Sequence, residues 1–199
     1  TTLTITDTTD AAVVTFAQGS DVDITTSFDT ANQGYAVTIN SSTFDAAGDT
    51  DFLNTGTVIL GNDATDVLTF AGGLATTGNA SNPGTVNAAG QIKTTNTRMD
   101  IGAVTLTKAT TFDTGNHADG VLNIGAVTSG TNSLTLDSGA TAGATMSLTS
   151  MVDASGGLTI RDAGGLATIG SIGDATTKGT VTITDSSAGV TFNANVDAT

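Results

Sequence analysis

The chain has 199 residues, a formal net charge of −14 and no cysteine. Nucleic-acid phosphates and anionic lipid surfaces both attract basic faces, so this charge argues against nucleic acid and against anionic membranes as partners. The lack of cysteine excludes a disulfide framework, a thiolate metal site and a cysteine nucleophile. No apolar run approaches the roughly 18 residues that a membrane-spanning helix needs, so membrane insertion is not expected.

The composition favours strands and turns over helices. Hydrophobic residues make up 38% of the chain but aromatic residues only 4%, and there is no tryptophan. All 19 acidic residues are Asp, which favours turns, whereas Glu, the better helix former, is absent. Thr, Val and Ile favour strands, and the 25 glycines favour the turns between them. We therefore expect an all-β chain with a narrow aliphatic interior.

In the N-terminal half, three segments alternate apolar and polar residues as half-buried strands do. They are residues 35–39, 56–60 and 66–70. Residues 74–97 are less regular, since they hold the only proline, Pro83, and a polar run, and we expect a loop-rich insertion or a sheet edge there. No segment of ten or more residues has the 3.6-residue period of a helix.

The C-terminal part of the chain repeats a unit of about 23 residues. The same alternation of apolar residues with Thr predicts equivalent strands at 133–137, 157–162 and 180–185. Upstream, residues 101–105 recur as residues 124–128. Two further sets recur at a similar spacing, one apolar and one acidic: Met146, Ile169 and Phe192, and Asp153, Asp174 and Asp197.

This register favours a β-solenoid, a parallel β-helix with rungs of about 23 residues that forms one repetitive domain over residues 1–199. An antiparallel β-sandwich of consecutive hairpins is the alternative. A single rung would be unstable, because about five buried aliphatic side chains contribute ~10 kcal/mol, whereas ordering ~23 residues costs over ~20 kcal/mol. Eight or nine rungs at a spacing of ~4.8 Å would give a body about 40 Å long.

The two ends of the chain resemble each other. Residues 2–7 match residues 180–185, and each segment is followed by Val-Thr-Phe, at 14–16 and at 190–192. Solenoids normally end in capping units, because a bare strand edge templates further pairing. Neither end carries such a cap in the sequence. We expect either a piece of a longer array or copies that stack end to end into a filament.

No residues in the sequence have the pattern of a catalytic site, and we predict that the chain is not an enzyme. The one histidine, His117, lies in a turn-like segment and cannot complete a typical zinc site without Cys or Glu. Polysaccharide-cleaving β-helices need converging carboxylates with a basic partner. The pairs Arg98 with Asp100 and Arg161 with Asp162 are better explained as surface ion pairs.

Calcium is the one cofactor that the sequence suggests. Residues 61–66 weakly resemble the Gly-Asp turns of RTX calcium-binding β-rolls, but they lack the paired Gly and the second nonapeptide copy. Stacked Asp153, Asp174 and Asp197 would repel by ~0.9 kcal/mol per pair at a spacing of ~4.8 Å in water. Such side chains either splay into solvent or share a cation. The candidate calcium ligands are Asp21, Asp23, Asp45, Asp49, Asp51, Asp63 and Asp66.

Repeats such as residues 120–128 and 180–185 resemble those of β-strand-repeat bacterial surface proteins. The nearest groups are filamentous-haemagglutinin-like adhesins, autotransporter passengers and some surface-layer proteins. The resemblance is one of composition and period, and it covers most of the chain. It implies a right-handed β-helix outside the cell, with a role in adhesion or as a scaffold.

Three classes of function follow from these observations. The first is a structural subunit or segment of an extracellular filament or surface lattice, with copies of the same chain as partners. The second is the stalk of a large adhesin, with carbohydrate or a host surface bound elsewhere. The third is a polysaccharide-binding, polysaccharide-cleaving or ice-binding solenoid with a column of Thr135, Thr159 and Thr182. A flat ice-binding face needs a second Thr column, which Ser133 and Gly157 interrupt.

Overall fold

The computed structural model of the chain describes residues 1–6, 11–78, 83–174 and 176–199. These residues form a β-solenoid of about eight turns, with about 23 residues in each turn. In this part of the chain the only helical element is one 3₁₀ turn, Ala154–Gly156. The predicted all-β solenoid is confirmed.

Short strands follow one another along the whole described chain. In the first half they are β1 (Leu3–Ile5), β2 (Val13–Phe16), β3 (Asp21–Ile24), β4 (Phe28–Thr30), β5 (Ala36–Ile39), β6 (Thr43–Ala46), β7 (Thr50–Asp51), β8 (Thr57–Leu60), β9 (Val67–Phe70), β10 (Leu74–Ala75) and β11 (Thr85–Lys93). In the second half they are β12 (Met99–Ile101), β13 (Val104–Asp113), β14 (Leu122–Thr128), β15 (Leu134–Asp137), β16 (Met146–Val152), β17 (Leu158–Asp162), β18 (Ala167–Ile172), β19 (Val181–Ile183) and β20 (Val190–Phe192). The strands predicted at 35–39, 56–60 and 66–70 correspond to β5, β8 and β9.

The coil has three sides, which we call faces 1, 2 and 3 in the order in which the chain crosses them. Face 1 holds β1, β4, β7, β10, β12 and β20. Face 2 holds β2, β5 and β8. Face 3 holds β3, β6, β9, β15, β17 and β19. The long strands turn a corner: β14, β16 and β18 run from face 1 into face 2, and β11 and β13 run from face 2 into face 3. Every described pairing is parallel, which excludes the antiparallel β-sandwich.

Like side chains lie above one another, as the repeat predicted. On face 3 the three C-terminal strands align in two neighbouring columns: Leu134, Leu158 and Val181, and Thr135, Thr159 and Thr182. Ile101 pairs with Ile124, and Val104 with Val127, so the upstream repeat is in register as well. Each strand therefore finds its hydrogen-bond partners in the rungs on either side of it.

One predicted column differs by two residues. Ile169 and Phe192 pair as expected, but the third member of the column is Leu148 and not Met146. Met146 pairs with Ala167, which follows it by only 21 positions. A rung shorter than the average repeat shifts the alignment, and a fixed spacing cannot detect such a change in corner length.

The expectation of a loop-rich insertion or a sheet edge over residues 74–97 is wrong for β10 and β11, which belong to the stack, whereas residues 79–82 lie outside the described part of the chain. β11 spans nine of these residues and pairs with β8 and β9 on one side and with β13 on the other. Its inward residues include Val86, Ala88 and Ile92, which are buried. The small alanines and a register shift between Ala88 and Gly90 obscure the strand period in the sequence.

The interior is aromatic near the N-terminal end and aliphatic beyond it. Five of the seven phenylalanines form one cluster of mostly edge-to-face contacts, with ring centroids 5.2–6.2 Å apart: Phe16, Phe28, Phe44, Phe52 and Phe70. Each such contact adds about 0.5–1.5 kcal/mol to the burial of the rings. The low aromatic content is thus concentrated in the first three rungs, where it fills the width of the coil.

Ile160 and Ile183 occupy the same inward column, but Ile160 is fully buried and Ile183 is 45% exposed. We expect I160A to lower the free energy of unfolding by about 2–5 kcal/mol, because it leaves a cavity between two rungs. The matched variant I183A should cost about 1 kcal/mol or less, since that side chain is already half in water. Denaturant unfolding followed by circular dichroism of the monomer measures both, and equal losses would contradict the burial gradient along the column.

Candidate functional site

Both ends of the solenoid expose side chains that point into its interior. In the first rung Val14, Phe16 and Val22 are only partly buried, whereas the residues that pair with them in the next rung are completely buried. In the last rungs the inward residues Val181, Ile183, Val190, Phe192 and Val196 are partly buried or exposed. Within the described residues no element covers either end, so each end presents an open apolar surface.

The strand edges at the two ends are also open. Leu3 N–H donates to Ser27 O, and Ile5 O accepts from Ala31 N–H, both at 2.9 Å, so these residues direct their backbone groups toward β4. Backbone groups alternate in direction along a strand, and those of Thr4 therefore face away from the stack. β1 thus offers a row of hydrogen-bonding groups at the N-terminal end.

At the C-terminal end β19 has the complementary arrangement. Thr180 O and Thr184 N–H both pair with β17, at 2.9 and 2.8 Å. By the same alternation, the backbone groups of Val181 and Ile183 face away from the stack. A strand that arrived on this edge would find free donors and acceptors along it.

The units that match in sequence at the two ends lie on different faces. β1 is on face 1, whereas its counterpart β19 is on face 3. β2 is on face 2, whereas its counterpart β20 is on face 1. Residues 7–10 in the first unit lie outside the described part of the chain. The sequence similarity of the ends therefore corresponds to an offset of one face, which sequence comparison alone could not detect.

Three of the candidate calcium ligands lie on the outer side of face 3. Asp21 and Asp23 are on β3, and Asp23 pairs with Asp45 on β6. Thr43 donates its hydroxyl to Asp21 Oδ1 at 3.0 Å. All three carboxylates are exposed, so they are free to splay into solvent.

Asp63 and Asp66 shape the corner between β8 and β9. Asp66 is buried, and its Oδ2 accepts the backbone N–H groups of Asn62 and Asp63 at 2.8 and 2.9 Å. Hydrogen bonds from the backbone N–H and the hydroxyl of Thr65 lower the pKa of Asp63. Gly61 opens this corner with φ +79°, and a Cβ there would lie 2.4 Å from Ala89 O. These carboxylates are used in the turn itself.

Asp49 and Asp51 lie on face 1 beside Asp100 and Arg98, where they line a shallow cavity of about 240 Å³. Burial, followed by the nearby charges of Asp49, Asp29 and Asp100, raises the pKa of Asp51. The predicted pair of Arg98 and Asp100 is present, with Nε and Oδ2 2.5 Å apart. The structure thus brings two of the candidate ligands close to a further carboxylate, Asp100.

Among the described residues no group of three or more His, Asp, Glu or Cys side chains is arranged to hold a metal ion. The seven candidate ligands are divided among two faces and one corner. Calcium binding at these residues stays a prediction.

The acidic set Asp153, Asp174 and Asp197 does not form one column. Val196 bridges to Ile172, which places Asp197 beside Gly173, one position before Asp174. Asp174 Oδ1 instead accepts the N–H groups of Thr176 and Thr177 at 2.7 and 2.6 Å. The Thr177 and Thr176 side chains and these backbone groups lower its pKa. The repulsion expected for three stacked carboxylates is thus relieved by register and turn geometry.

Arg161 bridges rungs on face 3. Its guanidinium donates to Asp137 Oδ2 at 2.5 Å and approaches Asp113 Oδ2 at 3.4 Å, one and two rungs away. The expected surface pair with Asp162 was therefore the wrong pair. Burial, followed by the charges of Asp137 and Asp185, raises the pKa of Asp162. We call these contacts of Arg161 with Asp137 and Asp113 the Arg161 ladder. Only the stacking of rungs brings together residues that lie 24 and 48 positions apart in the sequence.

The remaining candidates lie on the outside of the coil. His117 is in an exposed turn, where its Nδ1 lies 3.3 Å from Asp119 Oδ2. The Thr column on face 3 is confirmed, and Thr111 extends it by one rung. Ser133 and Gly157 interrupt the neighbouring column, as expected from the sequence.

Comparison of the chain with protein-family models, with curated proteins and with solved structures gave no match. In the described part of the chain no helix has the length and apolarity needed to cross a membrane.

The Arg161 ladder and the Arg98 pair differ in burial, which gives a matched comparison. Asp137 is 7% exposed, so R161M removes a donor from a buried carboxylate, and we expect it to lower the free energy of unfolding by about 1–2 kcal/mol. Arg98 has a side chain 63% exposed, and R98M should cost less than about 1 kcal/mol. Denaturant unfolding of both variants tests this, and an equal or larger loss for R98M would contradict the assignment.

Proposed function

We propose that the chain is a structural subunit or segment of an extracellular cell-surface filament or lattice, which assembles by end-to-end stacking of β-strands. One observation carries the proposal: both ends expose the inward-facing apolar residues and the hydrogen-bonding edges that the inner rungs bury against each other. Open strand edges template further pairing. Ends of this kind favour a partner that is itself a rung of the same type.

The sides of the solenoid support a structural role over ligand binding. Four cavities in the described part of the chain have volumes of about 240–290 Å³, at the low end of the range for small-molecule pockets, and are lined by residues of neighbouring strands and corners. The charge of −14 keeps such a body soluble and discourages contact between the sides of neighbouring filaments.

The stalk of a larger adhesin is the second candidate, and the same open ends favour it. In a stalk the end rungs are covered by further repeats of the same polypeptide instead of by another molecule. The two candidates differ in the behaviour of the 199-residue chain alone. A filament subunit associates with itself, whereas a stalk segment depends on covalent continuation.

Substitution of one exposed residue at an end tests the proposal against a matched residue on a side. Ile183 is 45% exposed on the last strand of face 3, and Val152 is 41% exposed on the outer side of β16. We expect the unmodified chain to form filaments as its concentration rises, and we expect I183K to abolish them, because it places a charge in the junction. V152K should leave assembly intact.

Electron microscopy and sedimentation velocity measure both outcomes, and circular dichroism shows whether each variant is folded. A chain that stays monomeric at every concentration, or an I183K variant that still forms filaments, would overturn the proposal. The first of these results would favour the stalk.

A further inference from the structure

The positions that are vacant at the C-terminal end follow from the order of the faces. β19 is the last strand on face 3 and β20 the last on face 1, and Val196 is the last residue paired on face 2. Because the chain crosses faces 1, 2 and 3 in turn, the next position in the coil lies on face 3 above β19. The positions after it lie on face 1 above β20 and on face 2 above Val196.

We infer that a second copy of this chain fills these three positions with its β1, β2 and β3, and that it is rotated by one face relative to the first copy. The inference rests on the proposed end-to-end assembly and specifies the register of its junction. In the arriving copy β1 lies above β19, β2 above β20 and β3 above the segment around Val196. The coil then continues across the junction without a vacant position.

The side chains match pair by pair in this register. β1 above β19 and β2 above β20 place the following residues in contact: Leu3 with Val181, Thr4 with Thr182, Ile5 with Ile183, Val14 with Val190, Thr15 with Thr191 and Phe16 with Phe192. On the third side Val22 lies above Val196. Inward apolar residues therefore meet inward apolar residues, and outward Thr meets outward Thr, as Thr135 meets Thr159 within the chain. The junction continues the contact that joins the inner rungs.

The backbone groups are complementary in the same register. Thr4 directs its N–H and C=O away from its own stack, and Val181 and Ile183 direct theirs away from the other end. A parallel bridge between Thr4 and Thr182 uses these groups, with Thr4 N–H donating to Val181 O and Ile183 N–H donating to Thr4 O. The two free edges would thereby satisfy each other.

Docking without the rotation also aligns apolar with apolar side chains, but it leaves a gap. β1 would then lie above β20, and β2 above Val196. β3 would lie above β19 at a distance of two rung spacings, about 9.6 Å, so one position between them would be empty. The edge of β19 would stay unpaired inside the filament, at a cost of about 1–3 kcal/mol for each buried group. The rotated register has no such gap and is favoured for this reason.

A small backbone contact at the C-terminus must break before the arriving copy can bind. Ala198 bridges to Gly179, and Thr199 N–H donates to Gly179 O at 3.2 Å, at the place that the first residues of β1 would enter. Ala198 and Thr199 are both exposed. One backbone hydrogen bond is thus exchanged for the full ladder of β1 on β19.

One like-charge pair at the junction repeats a contact that the chain already contains. Asp23 of the arriving copy would lie above Asp197, at a separation that the chain already has between the paired Asp23 and Asp45. A like-charge pair at ~4.8 Å costs ~0.9 kcal/mol at the dielectric of water. Salt screens such a pair, so assembly should strengthen with ionic strength.

Disulfide trapping between copies tests the rotation directly. The chain has no cysteine, so T4C, T182C, T191C and T128C each introduce a single thiol at an exposed, outward Thr. T4C is mixed with T182C for the rotated register, with T191C for the unrotated one, and with T128C, on the side of the coil, as the control. Neighbouring strands hold Cα atoms within the 4.4–6.8 Å that a disulfide requires. Mass spectrometry with one isotopically labelled partner identifies the heterodimers after mild oxidation.

We expect a disulfide-linked heterodimer in the mixture of T4C with T182C and none in the mixtures of T4C with T191C or with T128C. A heterodimer of T4C with T191C alone would overturn the rotation but leave end-to-end assembly standing. No heterodimer in any mixture would overturn both the rotation and the proposed assembly. Equal yields in all three mixtures would show random collision and would equally overturn the rotated register.

Discussion

Each rung of this solenoid depends on its neighbours for its backbone hydrogen bonds and for the cover of its apolar side chains. The described pairings are parallel, so a strand cannot complete its ladder within its own turn of the chain. A buried polar group without a partner costs about 1–3 kcal/mol. The constraint that orders the inner rungs therefore leaves the first and last rungs with free edges. The proposed end-to-end assembly uses these edges.

The fold was predictable where the repeat is regular. Leu134, Leu158 and Val181 align because the corners between their strands are similar in length, and a fixed period then finds the column. The 23-residue period did not predict the pairing of Met146 with Ala167, because the corner between them is shorter. It also did not predict β11, where small residues fill the interior. The phenylalanine cluster was missed because its members come from all three faces, and no local spacing in the sequence connects them.

The candidate site was predictable in outline and not in geometry. Similar sequences at the two ends indicated similar strands, but the face on which each strand lies depends on every corner between them. The contacts of Arg161 show the same limit, since Asp113 and Asp137 reach it only through stacking. Acidic residues such as Asp66 and Asp174 turned out to shape corners, where a carboxylate accepts backbone N–H groups.

The spacing between rungs is the most direct test of this account. Spin labels at Thr4 and Thr191 lie on face 1 at opposite ends of the coil, and eight spacings of ~4.8 Å predict a separation of about 38 Å by pulsed electron paramagnetic resonance, with unlabelled chain in excess. Moving the second label from Thr191 to Thr168, one rung inward, should shorten the distance by about 4.8 Å. A separation that is far shorter, or that does not fall with this move, would contradict the stacked parallel rungs.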